Sequence, residues 1–165
     1  MKKVTGDLLK LAIEGNFDII CHQANCYHTM GSGIAKQIRE QFPEAYEADL
    51  ATIKGDLEKL GTFSVAKVTR GTSSFLVANL YGQHSFGRGI QTNYNALRSC
   101  FKKLKETYGN SKLRFGIPSR IACGLGGGSW DIVSKIIEDE LSEENVTLVE
   151  FNETSFVADY YKETK

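Results

Sequence analysis

Two glycine-rich segments carry residue types that can bind an anion through the backbone. The first, MGSGIA, covers residues 30–35, and the second, CGLGGGSW, covers residues 123–130. Glycine permits a positive φ and lets a ligand approach without a Cβ in the way, so several backbone N–H groups can converge on one anion. The sequence therefore predicts two backbone cradles that together hold a diphosphate.

Other phosphate-binding patterns fit these segments poorly. The chain has no GxxxxGK[ST] sequence, which excludes a P-loop nucleoside triphosphatase. Where a dinucleotide-binding GxGxxG pattern has its third glycine, the first segment has Lys36 and the second has Ser129. A Rossmann dehydrogenase is therefore not indicated, and a plain tight turn before a helix remains the alternative interpretation of each segment.

Short strands that alternate with amphipathic helices must position the two segments. The sequence predicts strands over residues 17–21, 63–69, 74–80, 113–118 and 146–151, and helices over 7–14, 33–42, 92–107, 130–141 and part of 44–60. The second and third strands form a hairpin, so we expect an α/β fold with a mixed, mostly parallel sheet and helices on both faces. Each glycine-rich segment then lies beyond the carboxyl end of a strand, where open α/β sheets bind ligands.

Length and composition favour one domain that binds its ligand through local groups. The 165 residues are 41% hydrophobic, which predicts a single domain with a core over about 1–152 and a tail or small helix over 153–165. Lys plus Arg equals Asp plus Glu at 20 each, so no overall field attracts nucleic acid or a membrane. The four cysteines form no CxxC pair. We expect a cytoplasmic monomer without a metal or cofactor.

Further motifs complete an ordered pattern along the chain. Gly6-Asp7-Leu8 precedes Asn25 and the first glycine-rich segment, and Thr92-x-Tyr94-x-x-Leu97 precedes the second. This order resembles the macro domain, an ADP-ribose-binding module of three α/β/α layers. In that family the acid of the first motif accepts a hydrogen bond from the adenine amino group. The resemblance implies an ADP-ribose site formed by Asp7, Leu8, Asn25, Met30, Gly31, Ser32, Gly33, Ile34, Ala35, Cys123, Gly124, Leu125, Gly126, Gly127, Gly128, Phe151 and Asn152.

The segment around His22 is similar to one branch of this family. That branch contains ADP-ribose 1''-phosphate phosphatases and terminal ADP-ribose protein glycohydrolases, and its histidine at this position faces the loop. The resemblance implies His22 as general acid or base beside Asn25. Lys67 falls where the glycohydrolases have a catalytic lysine, whereas Gly126 replaces their aspartate. The alternatives are a packed His22 and a solvated Lys67.

The leading functional hypothesis is hydrolysis of ADP-ribose 1''-phosphate to ADP-ribose and phosphate. A non-catalytic ADP-ribose reader, a hydrolase of ADP-ribosyl esters such as O-acetyl-ADP-ribose or ADP-ribosylated protein, and an unrelated nucleotide-binding protein are the alternatives. The aromatic residues Tyr81, Phe86 and Phe151 are candidate lids or stacking faces, and Arg88 is a further candidate phosphate ligand.

Overall fold

Strands and helices alternate along most of the chain. The computed structural model describes residues 1–110 and 112–151, so Asn152 and the predicted tail lie outside the described residues. The strands are β1 Lys2–Gly6, β2 Ile19–Ala24, β3 Phe63–Arg70, β4 Ser73–Tyr81, β5 Arg114–Pro118 and β6 Asn145–Phe151. The helices are α1 Leu8–Ile13, α2 Gly33–Gln41, α3 Pro43–Leu50, α4 Tyr94–Tyr108 and α5 Trp130–Glu140, with a 3₁₀ turn at Leu57–Lys59.

The strands form one sheet in the order β1-β6-β5-β2-β4-β3. Every neighbouring pair is parallel except the β3–β4 hairpin. This confirms the predicted mixed, mostly parallel sheet. The sequence did not predict β1, an edge strand with four exposed residues and one half-buried residue, because such a strand carries no apolar alternation.

Each face of the sheet has its own hydrophobic core. Side chains of α4 and α5 pack with Ile19 and Cys21 of β2 on one face. Side chains of α1, α2 and α3 pack with Ile20 of β2 on the other. Successive side chains of a strand point to opposite faces. The same alternation places His22 on the face of Ile20, beneath the α1–α3 layer. The three layers are those expected from the sequence.

The chain leaves β2 and β5 toward opposite faces, although these two strands are neighbours. The loop after β2 leads to α2 on one face, and the loop after β5 leads to α5 on the other. Such a topological switch point opens a crevice at the carboxyl ends of the strands. The loops of residues 25–32 and 119–129 follow these two strands and lie at the crevice. None of the helices in the described ranges is long and apolar enough to span a membrane.

Candidate functional site

A continuous cleft with two compartments lies at this switch point. One compartment has a volume of about 450 Å³, and we call it the apolar compartment after Ile34, Pro118, Ile121, Val149 and Phe151, which line it alone. The other, about 560 Å³, we call the polar compartment after Asn25, Thr29 and Arg88, which line it alone. The two share the walls formed by Gln23, Ser32, Ala35, Gln83, Gly124 and Leu125. One elongated ligand can therefore occupy both.

The loop after β2 is shaped by Asn25. The side-chain Nδ2 of Asn25 donates to the Thr29 carbonyl at 2.8 Å, and its Oδ1 accepts from the Tyr27 N–H at 2.9 Å. Beyond this turn, α2 begins at Gly33 with a φ of +59°, and its N-cap Ser32 makes no side-chain hydrogen bond. Across the part of the chain that the structure describes, the N–H groups of residues 31–35 donate no hydrogen bond. They are free for an anion, at the positive end of the α2 dipole.

The loop after β5 divides its N–H groups between internal bonds and the cleft. The N–H groups of Gly127 and Gly128 donate to the Gly124 and Ala122 carbonyls at 3.0 and 2.9 Å. The Ser129 N–H donates to the Tyr94 hydroxyl at 2.9 Å. The N–H groups of residues 124–126, by contrast, have no acceptor within residues 1–110 and 112–151. The N–H groups of this loop that remain available to a ligand are therefore those of its first half.

Close packing requires glycine at position 126. A Cβ there would lie 2.6 Å from the Thr92 Oγ1, 2.7 Å from the Ala122 carbonyl oxygen and 2.8 Å from the Gln23 Nε2. Contacts this short are not tolerated by real Cβ atoms. The aspartate that the related glycohydrolases carry at this place therefore cannot fit without movement of the loop.

The two loops face each other across the shared part of the cleft. The Leu125 side chain is 68% exposed, and its Cδ1 lies 3.8 Å from the position that a Cβ of Gly33 would take. Residues 32–35 and 124–126, whose N–H groups donate no hydrogen bond among the described residues, thus line the cleft from two loops.

The only ionisable residues among the described walls are Arg88 and Arg120. Arg88 lines the polar compartment, and Arg120 lines the apolar one. No carboxylate, histidine or lysine lines either compartment within the described ranges. Although the protein as a whole is neutral, its cleft combines cationic side chains with N–H donors, and such a site attracts an anion.

His22 lies outside the cleft, so the prediction that it faces the loop is wrong. Its side chain is fully buried beneath α3, and its Nε2 lies 2.6 Å from the Asn79 Oδ1. The Asn79 amide nitrogen donates to the Ala45 carbonyl and to Ser64, which leaves its oxygen to accept from His22. Burial lowers the pKa of His22, although the hydrogen bond to Asn79 partly opposes this effect. His22 is thus a buried, neutral core residue.

Tyr81 belongs to the same buried network and is not a lid. Its hydroxyl donates to the Asp49 Oδ1 at 2.7 Å and lies 2.7 Å from the Ser64 hydroxyl. Burial raises the pKa of Tyr81 well above its usual value. Phe86 matches the expectation better, since it is 52% exposed and lines the polar compartment.

Of the other two catalytic candidates, Lys67 is corrected by its position. Lys67 is exposed on the edge strand β3, opposite Leu76 of β4, and lines neither compartment. Asn25 does line the polar compartment, where its oxygen and one of its two amide N–H groups close the loop, and its part in catalysis stays a prediction. Its observed role is to position that loop.

The structure brings together about half of the predicted ligand-binding residues. Lining the cleft are Asn25, Ser32, Gly33, Ile34, Ala35, Gly124, Leu125, Gly126 and Phe151. Outside its walls lie Asp7, Leu8, Met30, Gly31, Cys123, Gly127 and Gly128. Asp7 caps α1 by accepting from the Leu9 and Lys10 N–H groups at 3.0 and 3.2 Å. Its contact with adenine stays a prediction.

Sequence reasoning missed the polar residues that join the loops. Gln23 donates through its Nε2 to the Gln83 Oε1 at 2.8 Å and to the Thr92 Oγ1 at 2.9 Å. Thr92 in turn donates to the Ala122 carbonyl at 2.8 Å. The alternation along β2, which turns Gln23 away from the His22 side, was the signal available for this residue.

A mixed sheet between two helical layers, with a cleft at its switch point, defines a three-layer α/β/α class of protein. The model of the Macro domain family matches residues 21–137, and the chain belongs to this family. An uncharacterized 17.5 kDa protein from the tk-vs intergenic region of Enterobacteria phage T4 is 39% identical over 155 residues, 92% of this chain and 96% of that protein.

Solved structures share the same fold. A protein from Bacteroides thetaiotaomicron superposes with a TM-score of 0.77 at 27% identity, over 91% of this chain and 98% of that one. Thermosipho africanus DarTG, in complex with ADP-ribose, superposes with a TM-score of 0.72 at 17% identity, over 92% of this chain and 42% of that one. At that identity the second likeness concerns the fold alone.

Proposed function

We propose that the cleft binds ADP-ribose, with the adenine in the apolar compartment and the distal ribose in the polar one. The observation that carries this proposal is the pair of loops whose N–H groups, at residues 32–35 and 124–126, donate no hydrogen bond among the described residues and which both border the space that the compartments share. Backbone N–H groups at a helix N-terminus bind phosphate well. With Ile121, Val149 and Phe151 on one side and Asn25, Thr29 and Arg88 on the other, such a centre suits a diphosphate with a base at one end and a sugar at the other.

The walls of each compartment match the chemistry of the corresponding part of the ligand. The apolar compartment offers side chains such as Ile121, Val149 and Phe151, against which a purine ring can pack. Arg88 and Arg120 line the cleft, and no carboxylate lines its described walls, so the cleft favours an anionic ligand. Membership of the macro domain family supports the same ligand.

We further propose that the substrate is ADP-ribose 1''-phosphate. Water attacks phosphorus, the bond from phosphorus to the C1'' oxygen breaks, and the products are ADP-ribose and inorganic phosphate. Catalysis of phosphoryl transfer relies mainly on positioning and on stabilisation of the equatorial oxygens. The N–H groups of the two loops provide such stabilisation without a protein acid or base. The substrate phosphate, whose second pKa is about 6, can itself take up the proton that water releases and pass it to the leaving C1'' oxygen, which becomes the hydroxyl of ADP-ribose.

The lack of an acid or base in the described walls also favours a second candidate, an ADP-ribose reader without turnover. Ester hydrolysis, of O-acetyl-ADP-ribose or of ADP-ribosylated protein, is a third reaction in which the same N–H groups would stabilise an oxyanion. The three candidates share the ligand and differ in the bond that is cleaved.

Calorimetry and a phosphate-release assay test the two levels of the proposal. Titration with ADP-ribose, ADP and AMP should give the tightest binding for ADP-ribose, because it alone reaches the polar compartment. Equal affinity for AMP would refute the proposed binding mode. Release of phosphate from ADP-ribose 1''-phosphate would support the phosphatase, and it should be the same in His22→Gln at neutral pH because His22 is buried. Tight binding without release of phosphate would support the reader.

A further inference from the structure

Arg88 is a cation without a partner in the polar compartment. It is exposed, and its guanidinium makes no hydrogen bond or ion pair within the described ranges. Other arginines of the chain are used differently: Arg70, Arg98 and Arg114 each pair with a carboxylate. The charge of Arg88 is therefore available to a ligand.

Hydrogen bonds connect the backbone next to Arg88 with the loop after β5. The side-chain Nε2 of Gln91 donates to the Arg88 carbonyl at 2.9 Å. The N–H groups of Gln91 and Thr92 both donate to the Gly126 carbonyl, at 2.9 and 3.0 Å. Gly89 lies so close to Gly127 that a Cβ on Gly127 would come within 2.8 Å of the Gly89 carbonyl oxygen. The position of Arg88 is thus coupled to the N–H groups that we assign to the diphosphate.

We propose that Arg88 is a specificity-determining residue that selects ADP-ribose bearing a phosphate monoester on its distal ribose over unsubstituted ADP-ribose. This inference rests on the proposed binding of ADP-ribose. Guanidinium matches the geometry of phosphate with two parallel hydrogen bonds, whereas a neutral ribose hydroxyl gains much less from it. No carboxylate among the described walls competes for Arg88. The phosphate monoester is thus the group that this compartment favours.

The test compares two ligands on variants of the whole chain. The Kd of ADP-ribose is measured by calorimetry, together with the Kd of ADP-ribose 1''-phosphate, or its KM where phosphate is released. We expect the wild type to favour the phosphorylated ligand by about tenfold or more, the effect of a charge-assisted hydrogen bond. Arg88→Gln should remove this preference and leave the Kd of ADP-ribose within about twofold. Arg88→Lys keeps the positive charge but loses the planar guanidinium with its parallel donors, so it should keep part of the preference for the phosphorylated ligand.

Arg120→Gln provides the matched control, because it removes the same charge from the other compartment. It should change the affinity for both ligands by the same factor and leave their ratio as in the wild type. Higher ionic strength should reduce the preference of the wild type, since Arg88 is exposed to solvent. Arg88→Gln should keep the thermal midpoint of the wild type.

The outcomes separate this inference from the proposed function. If the wild type does not bind ADP-ribose, the proposed function fails, and the inference fails with it. If the wild type binds ADP-ribose and Arg88→Gln retains the wild-type ratio of affinities, the inference is refuted and the binding function stands. Equal loss of both ligands in Arg88→Gln also refutes it, because Arg88 would then serve binding in general and not selection.

Discussion

Replacement of Gly126 by alanine measures how tightly the loop after β5 is packed. The new Cβ would lie 2.6 to 2.8 Å from Thr92, Ala122 and Gln23, two of which belong to other segments of the chain. Overpacking of this kind costs about 1–3 kcal/mol. For a domain of this size, each kcal/mol lowers the thermal midpoint by roughly 2–4 °C. We therefore expect a decrease of roughly 2–12 °C in scanning calorimetry, with weaker binding of ADP-ribose because the loop must move.

Gly124→Ala is the control for this experiment. Gly124 belongs to the same loop, but among the described residues beyond its chain neighbours no atom lies within 4 Å of the position that its Cβ would take, and its φ is not left-handed. The stability of this variant should stay within about 0.5 kcal/mol of the wild type, as for most exposed substitutions. Urea denaturation gives both free energies of unfolding under the same conditions. If Gly126→Ala is as stable as Gly124→Ala, the packing argument for Gly126 is wrong.

Two further predictions concern the first loop and the buried histidine. Gly33→Ala should weaken ADP-ribose binding, because the φ of +59° at the start of α2 costs a residue with a Cβ roughly 1 kcal/mol or more. Gly31 has open space around its Cβ position and an ordinary φ, so Gly31→Ala should cost less stability than Gly33→Ala in the same urea titration. The pKa of His22 is lowered from 6.5 in the folded state, so the unfolded chain binds the extra proton first as pH falls. Stability that is present above pH 6.5 should therefore decrease below it, by at most about 1.4 kcal/mol per pH unit from this residue. In His22→Gln that part of the slope should vanish between about pH 7 and pH 5.5, and an unchanged slope would show that another group is responsible.

The sequence was sufficient for the features that depend on local pattern. Apolar periodicity predicted α4 and α5 and the hairpin of β3 and β4, and the glycine-rich segments fell on the two loops of the cleft. The edge strand β1 was missed because its side chains are largely exposed. Its position comes from pairing with β6 at the far end of the chain, which no local window contains.

His22 shows where a pattern of residue types is not enough. The run Ile19–Ala24 is buried at five of its six positions, so its hydrophobicity does not tell which side chains face α3 and which face α4. Packing decides this: His22 turns toward Asn79 under α3, and Gln23 turns toward Thr92, 69 residues away. The motif of a histidine before the glycine-rich loop was present, but its side chain lies on the wrong face for catalysis.

The same alternation constrains the chemistry of the cleft. With His22 and Asp49 buried in a network of their own, the described walls keep only arginines and backbone N–H groups as strong interaction partners for a ligand. Gly126 cannot be exchanged for a carboxylate without displacing Thr92 and Ala122. Such a site can stabilise negative charge, but its described walls offer no side chain that exchanges a proton near neutral pH. Both hydrolyses that we propose meet this condition, because the N–H groups would stabilise equatorial phosphate oxygens in phosphoryl transfer or an oxyanion in ester cleavage.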